Sequence, residues 1–410
     1  MTAMRLTTLA SGLRVATHAM PGLQTAAVGL FAEVGSRDEP AELNGIAHLF
    51  EHMVFKGAGG RSARAISEAI EEVGGDLNAA TERDSTSFTA SVMAEHVPLA
   101  VELVADLVLR PHFEPGDLQR EKDVVLQELA EARDNPCDMV FDQLWSVAFE
   151  GQALGRSILG EEATIGAVTV ADLIRWRDDH YRGPDIALVA AGKVDHDQLV
   201  ELAEHSLAGL PAGPRAPRPI VRFTGGARIG RHPAEQAQLM LGFPAPADGA
   251  ADHYAARLFC DILGGGASSR LFQQVREDRG LAYSVSSALH PHADTGLLYV
   301  HAATARSQAA AALQLIEEIV RYTAVTATQR ELERVRTQAR AGLLMALETP
   351  WGQAHYLARM LAVHGRLVDP AKVIDSLAAV TLEEVRAYGA RMVAGPAARA
   401  TIGLAAARAA

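Results

Sequence analysis

The feature that most constrains the fold is an internal repeat of about 200 residues. The Leu-Phe pair at 258–259 repeats the pair at 49–50 after 209 residues, and the helices predicted downstream of the two pairs also match. Later, the Thr-Pro pair at 349–350 corresponds to Asn-Pro at 135–136 after 214 residues. Because the matches occur in the same order, we expect a duplicated unit that mixes helices and strands.

A proline-rich segment separates the two copies. Leu210 to Pro219 holds four prolines in ten residues, which favours an extended connector without helix or sheet. We therefore predict an N-terminal domain over 1–209, a linker over 210–222 and a homologous C-terminal domain over 223–410. Local patterns in the first copy predict helices and strands. Asn44 is the expected N-cap of a helix that ends before the segment Gly57 to Gly60. Further helices are expected over 62–73, 96–110, 116–134, 138–150, 169–179 and 196–208, and strands in 4–18, 25–34, 77–92 and 185–191.

Composition excludes several classes of protein. The formal net charge of −12 argues against a nucleic-acid-binding protein. The chain has two cysteines, Cys137 and Cys260, too few for a disulfide framework or a four-cysteine zinc site. We see no signal peptide and no apolar run of about 18 residues, so we expect no membrane association. The Ala/Arg-rich composition favours a bacterial cytoplasmic protein.

Metal-binding residue types cluster in the first copy, in the segment His48-Leu-Phe-Glu-His52. His48, Glu51 and His52 share one helical face because they are three and four residues apart. Two neutral imidazoles at this spacing form half of a zinc site, and a neighbouring carboxylate can accept a proton from a water on the metal. At the matching positions the second copy has Arg257, Cys260 and Asp261. The residues at these positions in the first copy therefore serve chemistry rather than packing.

The long helix predicted downstream offers carboxylates for the third ligand that an open zinc site needs. Glu121 and Glu128 are two turns apart, on the face that also carries Val125. A carboxylate on an inward face is costly unless it is paired or binds a metal. The second copy has neither acid and carries instead Val335 and Gly342. From spacing alone, Glu128, Glu121 and Glu131 all remain candidates.

His48-x-x-Glu-His52 with two glutamates downstream resembles the inverzincins, the family of pitrilysin, mitochondrial processing peptidase and insulin-degrading enzyme. The resemblance covers nearly the whole chain. It implies an α+β fold of two homologous α/β sandwiches, each an antiparallel-rich sheet packed by helices, that form half of a clamshell chamber. It also implies one Zn²⁺ per chain, held by His48, His52 and Glu128. Glu51 would be the general base, and Glu121 a catalytic residue that supports the site.

Two further segments are similar to substrate-binding parts of that family. Asn78, Ala79 and Ala80 match its substrate-binding edge strand. An edge strand offers unpaired N–H and C=O groups to an extended peptide, and pairing of this kind reads little sequence. Arg276 and Tyr283 in the second copy match a pair that holds the substrate backbone.

The resemblance implies a zinc metalloendopeptidase that cleaves unfolded peptides or presequence-like segments inside a chamber. Because the zinc motif and the Arg276–Tyr283 pair occur in one chain, we expect a homodimer, with a heterodimer containing an inactive relative as the alternative. The competing function is a non-catalytic subunit of the same fold, as in the core of the respiratory bc1 complex. The intact set of metal ligands argues against that function.

Overall fold

A computed structural model of the chain describes residues 4–213 and 217–404. The strands of the first half are β1 (Met4–Thr8), β2 (Arg14–Ala19), β3 (Thr25–Ala32), β4 (Gly57–Ala58), β5 (Arg61–Ser62), β6 (Asp76–Thr81), β7 (Thr86–Met93) and β8 (Ile186–Gly192). Its helices are α1 (Ile46–Val54), α2 (Ala63–Glu71), α3 (Val97–Leu109), α4 (Pro115–Asp134), α5 (Pro136–Ala148), α6 (Glu162–Ala167), α7 (Val170–His180) and α8 (His196–Ser206).

The second half contains a similar set of elements. Its strands are β9 (Gly226–Gly230), β10 (Gln236–Ala245), β11 (Ser284–Pro291), β12 (Gly296–Ala305) and β13 (Ala398–Ile402). Its helices are α9 (His253–Gly264), a π-helical segment (Phe272–Glu277), α10 (Ala309–Thr326), α11 (Gln329–Ala346), α12 (Pro350–His364), α13 (Pro370–Ala379) and α14 (Leu382–Ala394).

The two halves build sheets of the same topology. Strand order is β1-β2-β8-β3-β7-β6 in the first sheet and β9-β13-β10-β12-β11 in the second. The order β2-β8-β3-β7-β6 therefore recurs strand for strand. In each sheet the equivalent pair, β2 with β8 and β9 with β13, is parallel, and the other pairings are antiparallel. The prediction of a duplicated α+β unit is confirmed.

The two compact units do not coincide with the two halves of the chain, because a segment of each half belongs to the other unit. The first unit comprises Met1–Leu129, Ser157–Pro219 and Leu343–Val368, and the second comprises Ala130–Arg156, Ile220–Gly342 and Asp369–Ala410. Each unit thus contains one segment of the other half. In the first unit α12 packs on β2, β3 and β8, and in the second unit α5 packs on β9, β10 and β13.

The exchanged helices cover sheet faces that would otherwise be exposed. Every residue of β8 is buried, as expected for a central strand with packing on both faces. One face meets the large core of the first half, and the other meets Ala354, Leu357 and Leu361 of α12. The division at 210–222 allows for no such exchange, because it rests on proline content along the chain.

The connector lies partly outside the described residues, at 214–216. Where it is described again, the guanidinium of Arg218, within the first unit, donates to both oxygens of Asp38 at 2.7 Å. It also donates at 2.8 Å to the carbonyls of Glu33 and Asp84. Residues 217–225 form neither helix nor strand.

Candidate metal centre

Helix α1 buries one face and leaves the other for the candidate ligands. The buried face consists of Ile46, Ala47, Leu49, Phe50, Met53 and Val54. His48, Glu51 and His52 lie on the half-buried face. Since the helix repeats every 3.6 residues, the apolar positions fix which way the imidazoles turn.

The start of α1 corrects one prediction. Asn44 is not the N-cap; that position is Gly45, in the left-handed region at a φ of 96°. The buried carboxylate of Glu39 instead accepts the N–H groups of Gly45 and Ala47 at 2.8 and 2.9 Å. It also accepts the Asn44 side-chain amide at 2.8 Å. The prediction of Asn44 is wrong because a carboxylate five residues upstream satisfies the free N–H groups of the first turn.

Helix α4 brings the third candidate ligand to the two histidines. Glu128 Oε2 lies 3.8 Å from His48 Nε2 and 3.6 Å from His52 Nε2. One donor atom from each of the three residues falls within 4.8 Å of the others. Glu131, the remaining candidate, is exposed on the same helix. The structure therefore brings together the three residues that the family resemblance implies as ligands.

The donor set fits Zn²⁺. Ligands about 2.1 Å from a tetrahedral zinc lie about 3.4 Å from one another, close to the observed oxygen-to-nitrogen distances. Burial, with the neighbouring His52, lowers the pKa of His48 to about 4. Its imidazole is therefore neutral near pH 7 and keeps a lone pair for a metal. Two imidazoles and one carboxylate are also the protein ligands of known catalytic zinc sites.

Glu121 lies behind His52 rather than beside Glu128. It is buried on α4, on one stripe with Leu118, Val125 and Leu129. Its Oε2 is 3.2 Å from His52 Nδ1, and its Oε1 is 2.8 Å from Lys56 Nζ. A carboxylate bonded to the far nitrogen of a metal-binding histidine is the usual outer support of such sites. Sequence reasoning missed Lys56, although it stands four residues after His52.

Glu51 is held by a residue that the sequence analysis also missed. Thr81, the last residue of β6, donates its hydroxyl to Glu51 Oε2 at 2.5 Å. Burial raises the pKa of Glu51, and the Thr81 hydrogen bond opposes that shift. One indication of Thr81 was present in the sequence: it directly follows the predicted substrate-binding residues 78–80.

The predicted edge strand is confirmed as an edge. Asn78, Ala79 and Ala80 lie in β6, the last strand of its sheet. Asn78 and Ala80 are exposed, and the Ala79 N–H is accepted by the Asn78 side-chain oxygen at 2.9 Å. β6 also packs beside α1. The free edge and the candidate metal centre therefore belong to the same part of the first unit.

Arg276 and Tyr283 both lie in the second unit. Arg276 lies in the last turn of the π-helical segment, with its guanidinium 4.6 Å from the ring centre of Phe272. Tyr283 is 62% exposed, and its N–H donates to Ala303 just before β11 begins. Both side chains reach solvent and retain hydrogen-bond donors.

The second copy fills the equivalent positions with packing and an ion pair. Arg257 Nε lies 3.0 Å from Asp261 Oδ2, and Cys260 is buried. Val335, which matches Glu121, is also buried. The candidate metal group that the described residues form is in the first copy.

Comparison with known proteins follows the same division. Residues 14–162 match the family described as Insulinase (Peptidase family M16), and residues 167–339 match Peptidase M16 inactive domain. In the part of the chain that the structure describes, we find no helix long and apolar enough to cross a membrane.

Similar proteins cover the whole length. An "Uncharacterized zinc protease" of Rickettsia bellii is 33% identical, over 96% of each chain. The mitochondrial-processing peptidase subunit beta of Lentinula edodes is 32% identical, over 93% of this chain and 85% of its own. The crystal structure of a peptidase M16 inactive domain from Pseudomonas fluorescens is 23% identical and has a TM-score of 0.91, over 99% of this chain and 100% of its own. The predicted α+β fold of two homologous units is confirmed, and the chain belongs to peptidase family M16.

Proposed function

We propose that this chain is a zinc-dependent endopeptidase. One observation carries the proposal: Glu128, 76 residues beyond His52 in the sequence, presents a carboxylate oxygen within 4.8 Å of donor atoms of both His48 and His52. Their chemistry is that of a zinc site with an open position. The relatives named zinc proteases support the metal, and Glu51 on the same helical face supports hydrolysis.

The residues of the first unit have separate tasks in this mechanism. When bound, Zn²⁺ supplies a Lewis acid that polarises a carbonyl and lowers the pKa of a water molecule to about 7. Glu51 accepts the proton of the attacking water and delivers it to the leaving amine nitrogen. Burial raises the pKa of Glu51, which makes it a stronger base than an exposed glutamate. The Thr81 hydroxyl fixes one oxygen of this carboxylate.

The substrate backbone binds at the free edge of β6. An extended peptide that pairs with Asn78, Ala79 and Ala80 continues the sheet as an added strand. Because Thr81 of this strand contacts Glu51, a peptide bound here runs past the general base. Arg276 and Tyr283 donate further hydrogen bonds to the peptide. Pairing through the backbone requires an extended chain, so the substrates are unfolded peptides or presequence-like segments, held in a chamber.

The active assembly is a homodimer. A single chain supplies both the metal ligands and the Arg276–Tyr283 pair, so no inactive partner is needed. Light scattering on the purified chain should give twice the mass of 43.6 kDa. A monomer, or a requirement for a second kind of chain, contradicts this part of the proposal.

The replacement Glu51→Gln tests the chemistry. The variant should bind zinc as tightly as the parent, because Glu51 is not a ligand, and should lose cleavage by at least about a hundredfold. Cleavage of an unstructured basic peptide is followed by mass spectrometry, with and without a chelator. Glu42→Gln, an exposed carboxylate ahead of α1, is the matched control. Normal cleavage by Glu51→Gln, or cleavage that survives metal removal, refutes the mechanism.

A further inference from the structure

We propose that Lys56 is a positioning residue of the metal centre, acting through Glu121 on His52. The inference rests on the proposed function, since it takes His52 as a metal ligand. Lys56 Nζ lies 2.8 Å from Glu121 Oε1, and Glu121 Oε2 lies 3.2 Å from His52 Nδ1. The three side chains form one continuous row, which ends at the nitrogen facing away from the metal.

The chemistry of the three groups decides which atom donates and which accepts in each hydrogen bond of this row. An ammonium group only donates, and an ionised carboxylate only accepts. With Lys56 donating to one oxygen of Glu121, the other oxygen accepts from His52, so the proton of the imidazole sits on Nδ1. Nε2 is then bare, and it is Nε2 that lies 3.6 Å from Glu128. Lys56 thereby selects the tautomer that a metal needs.

The surroundings make the lysine necessary. Glu121 is 6% exposed among apolar residues of α4, and a buried carboxylate without a charged partner is costly. Among the ion pairs of the described residues, Glu121 has two partners, His52 and Lys56, and Lys56 is the ammonium group. Its backbone is also fixed: its N–H donates to Met53 at the end of α1, and the next residue, Gly57, accepts from the His112 N–H at 2.8 Å. The side chain of Lys56 therefore starts from a backbone that is fixed next to α1.

Two internal comparisons support the assignment. His48 is the other histidine ligand, and its Nδ1 is buried with no hydrogen-bond partner among the described residues. Of the two histidines, His52 is therefore the one whose Nδ1 has a carboxylate partner. In the second copy the positions of Lys56 and Glu121 are taken by Gly265 and Val335. The lysine and the carboxylate are absent together where the ligands are absent.

The test is the zinc affinity of Lys56→Met, measured by competition with a chromophoric chelator. Loss of an outer support of a metal-binding histidine typically costs about 10–100-fold in metal affinity, and we expect a loss in that range. Lys56→Arg, which keeps a donor and the charge, should stay within about threefold of the parent. Lys372→Met, an exposed lysine on α13, is the matched control and should bind as the parent does. The absorption spectrum of the cobalt-loaded Lys56→Met variant should also differ from that of the parent.

A double-mutant cycle separates positioning through Glu121 from a general effect of charge. In a Glu121→Gln background, Lys56→Met should change zinc affinity by less than about threefold, since the carboxylate it acts on has gone. An equal loss in both backgrounds overturns the proposal, as does parental affinity in Lys56→Met. Circular dichroism of the metal-free variants checks the fold, and Lys56→Arg gives the answer if Lys56→Met does not fold. A parent that binds zinc without cleaving peptides refutes the proposed function and leaves this test intact.

Discussion

The carboxylate of Glu51 lies where burial alone favours its neutral form, and a single hydroxyl opposes that tendency. Thr81 donates at 2.5 Å and lowers the pKa that burial raises. The hydrogen bond also limits rotation of the carboxylate, which faces solvent only partly. By favouring the ionised form, the hydroxyl keeps the carboxylate able to accept a proton, as the proposed role of Glu51 requires.

Replacing Thr81 with Val should therefore impair catalysis without affecting the metal. Valine has nearly the same shape but no donor, and a hydrogen bond to a charged group is worth about 1.5–3 kcal/mol, so kcat/KM should fall by at least about tenfold. Loss of the hydrogen bond raises the pKa of Glu51 further, so the acid limb of the pH profile of kcat/KM should move to higher pH. Zinc affinity should match that of the parent. Thr337→Val, on an exposed face of α11, is the control, and an unmoved acid limb in Thr81→Val argues against the role of Thr81.

How far the site can be predicted from sequence depends on how local each contact is. His48, Glu51 and His52 follow from helical spacing, because three and four residues always return to one face. Thr81 and Lys56 do not, since their partners are set by how β6 and α4 pack against α1. The choice of Glu128 over Glu131 needed the family resemblance, because spacing leaves both on the same helix.

At the scale of elements, apolar periodicity located the helices well and their ends less well. The predicted helix at 116–134 is α4, Pro115–Asp134, and the predicted strand at 185–191 is β8, Ile186–Gly192. The start of α1 was mispredicted because its cap comes from Glu39. Capping by a non-adjacent side chain leaves no short-range pattern, and the helix that carries both histidines depends on it.

Replacing Glu39 with Ala should destabilise α1. The change leaves the buried N–H groups of Gly45 and Ala47 without their acceptor, at a cost of about 2 kcal/mol, and removes one of the two acceptors of the Asn44 side-chain amide, which keeps the Ser157 carbonyl. The midpoint of urea unfolding should fall, and zinc affinity should fall with it because the first turn carries His48. Glu42→Ala, an exposed neighbour, should leave both quantities unchanged. Equal midpoints for the two variants mean that Glu39 does not hold the helix.

At the scale of the whole molecule, the repeat was predictable and the exchange of helices was not. The repeat leaves matched residues in the chain, such as the Leu-Phe pairs at 49–50 and 258–259. The exchange leaves none, because α5 and α12 occupy equivalent places in the two copies. Only the packing of Leu144 and Leu357 in their respective cores shows which sheet each helix covers. Local sequence thus specifies the helices and strands of each unit, but not which copy supplies the helix that covers the second face of its sheet.

The buried and partly buried histidines predict how the stability of the whole chain changes as the pH falls. Burial is the leading cause that lowers the pKa of His18, His48, His180, His196 and His301. The unfolded chain, with histidine pKa values near 6.5, therefore binds more protons than the folded chain as the pH falls below that value. Stability is lost from about pH 6.5 down to the folded-state pKa values, about 4 for His48. Glu51 and Asp261, whose pKa values burial raises, oppose the loss at the acid end of this range.

The urea midpoint of the metal-free chain should therefore fall between pH 7.5 and pH 4.5. The fall should begin near the ordinary histidine pKa of about 6.5. A chelator in every sample removes the separate effect of protons competing with zinc for His48 and His52. The two compact units need not unfold together, so a single free energy of unfolding is not defined for the chain. The midpoint of each unfolding transition is therefore compared between pH values. His196 offers a specific check, since Thr7 and Thr17 bind its two ring nitrogens at 2.9 and 2.8 Å. In His196→Gln the slope of midpoint against pH should be shallower than in the parent, whereas a midpoint that stays level or rises on acidification contradicts the assignment of neutral buried histidines.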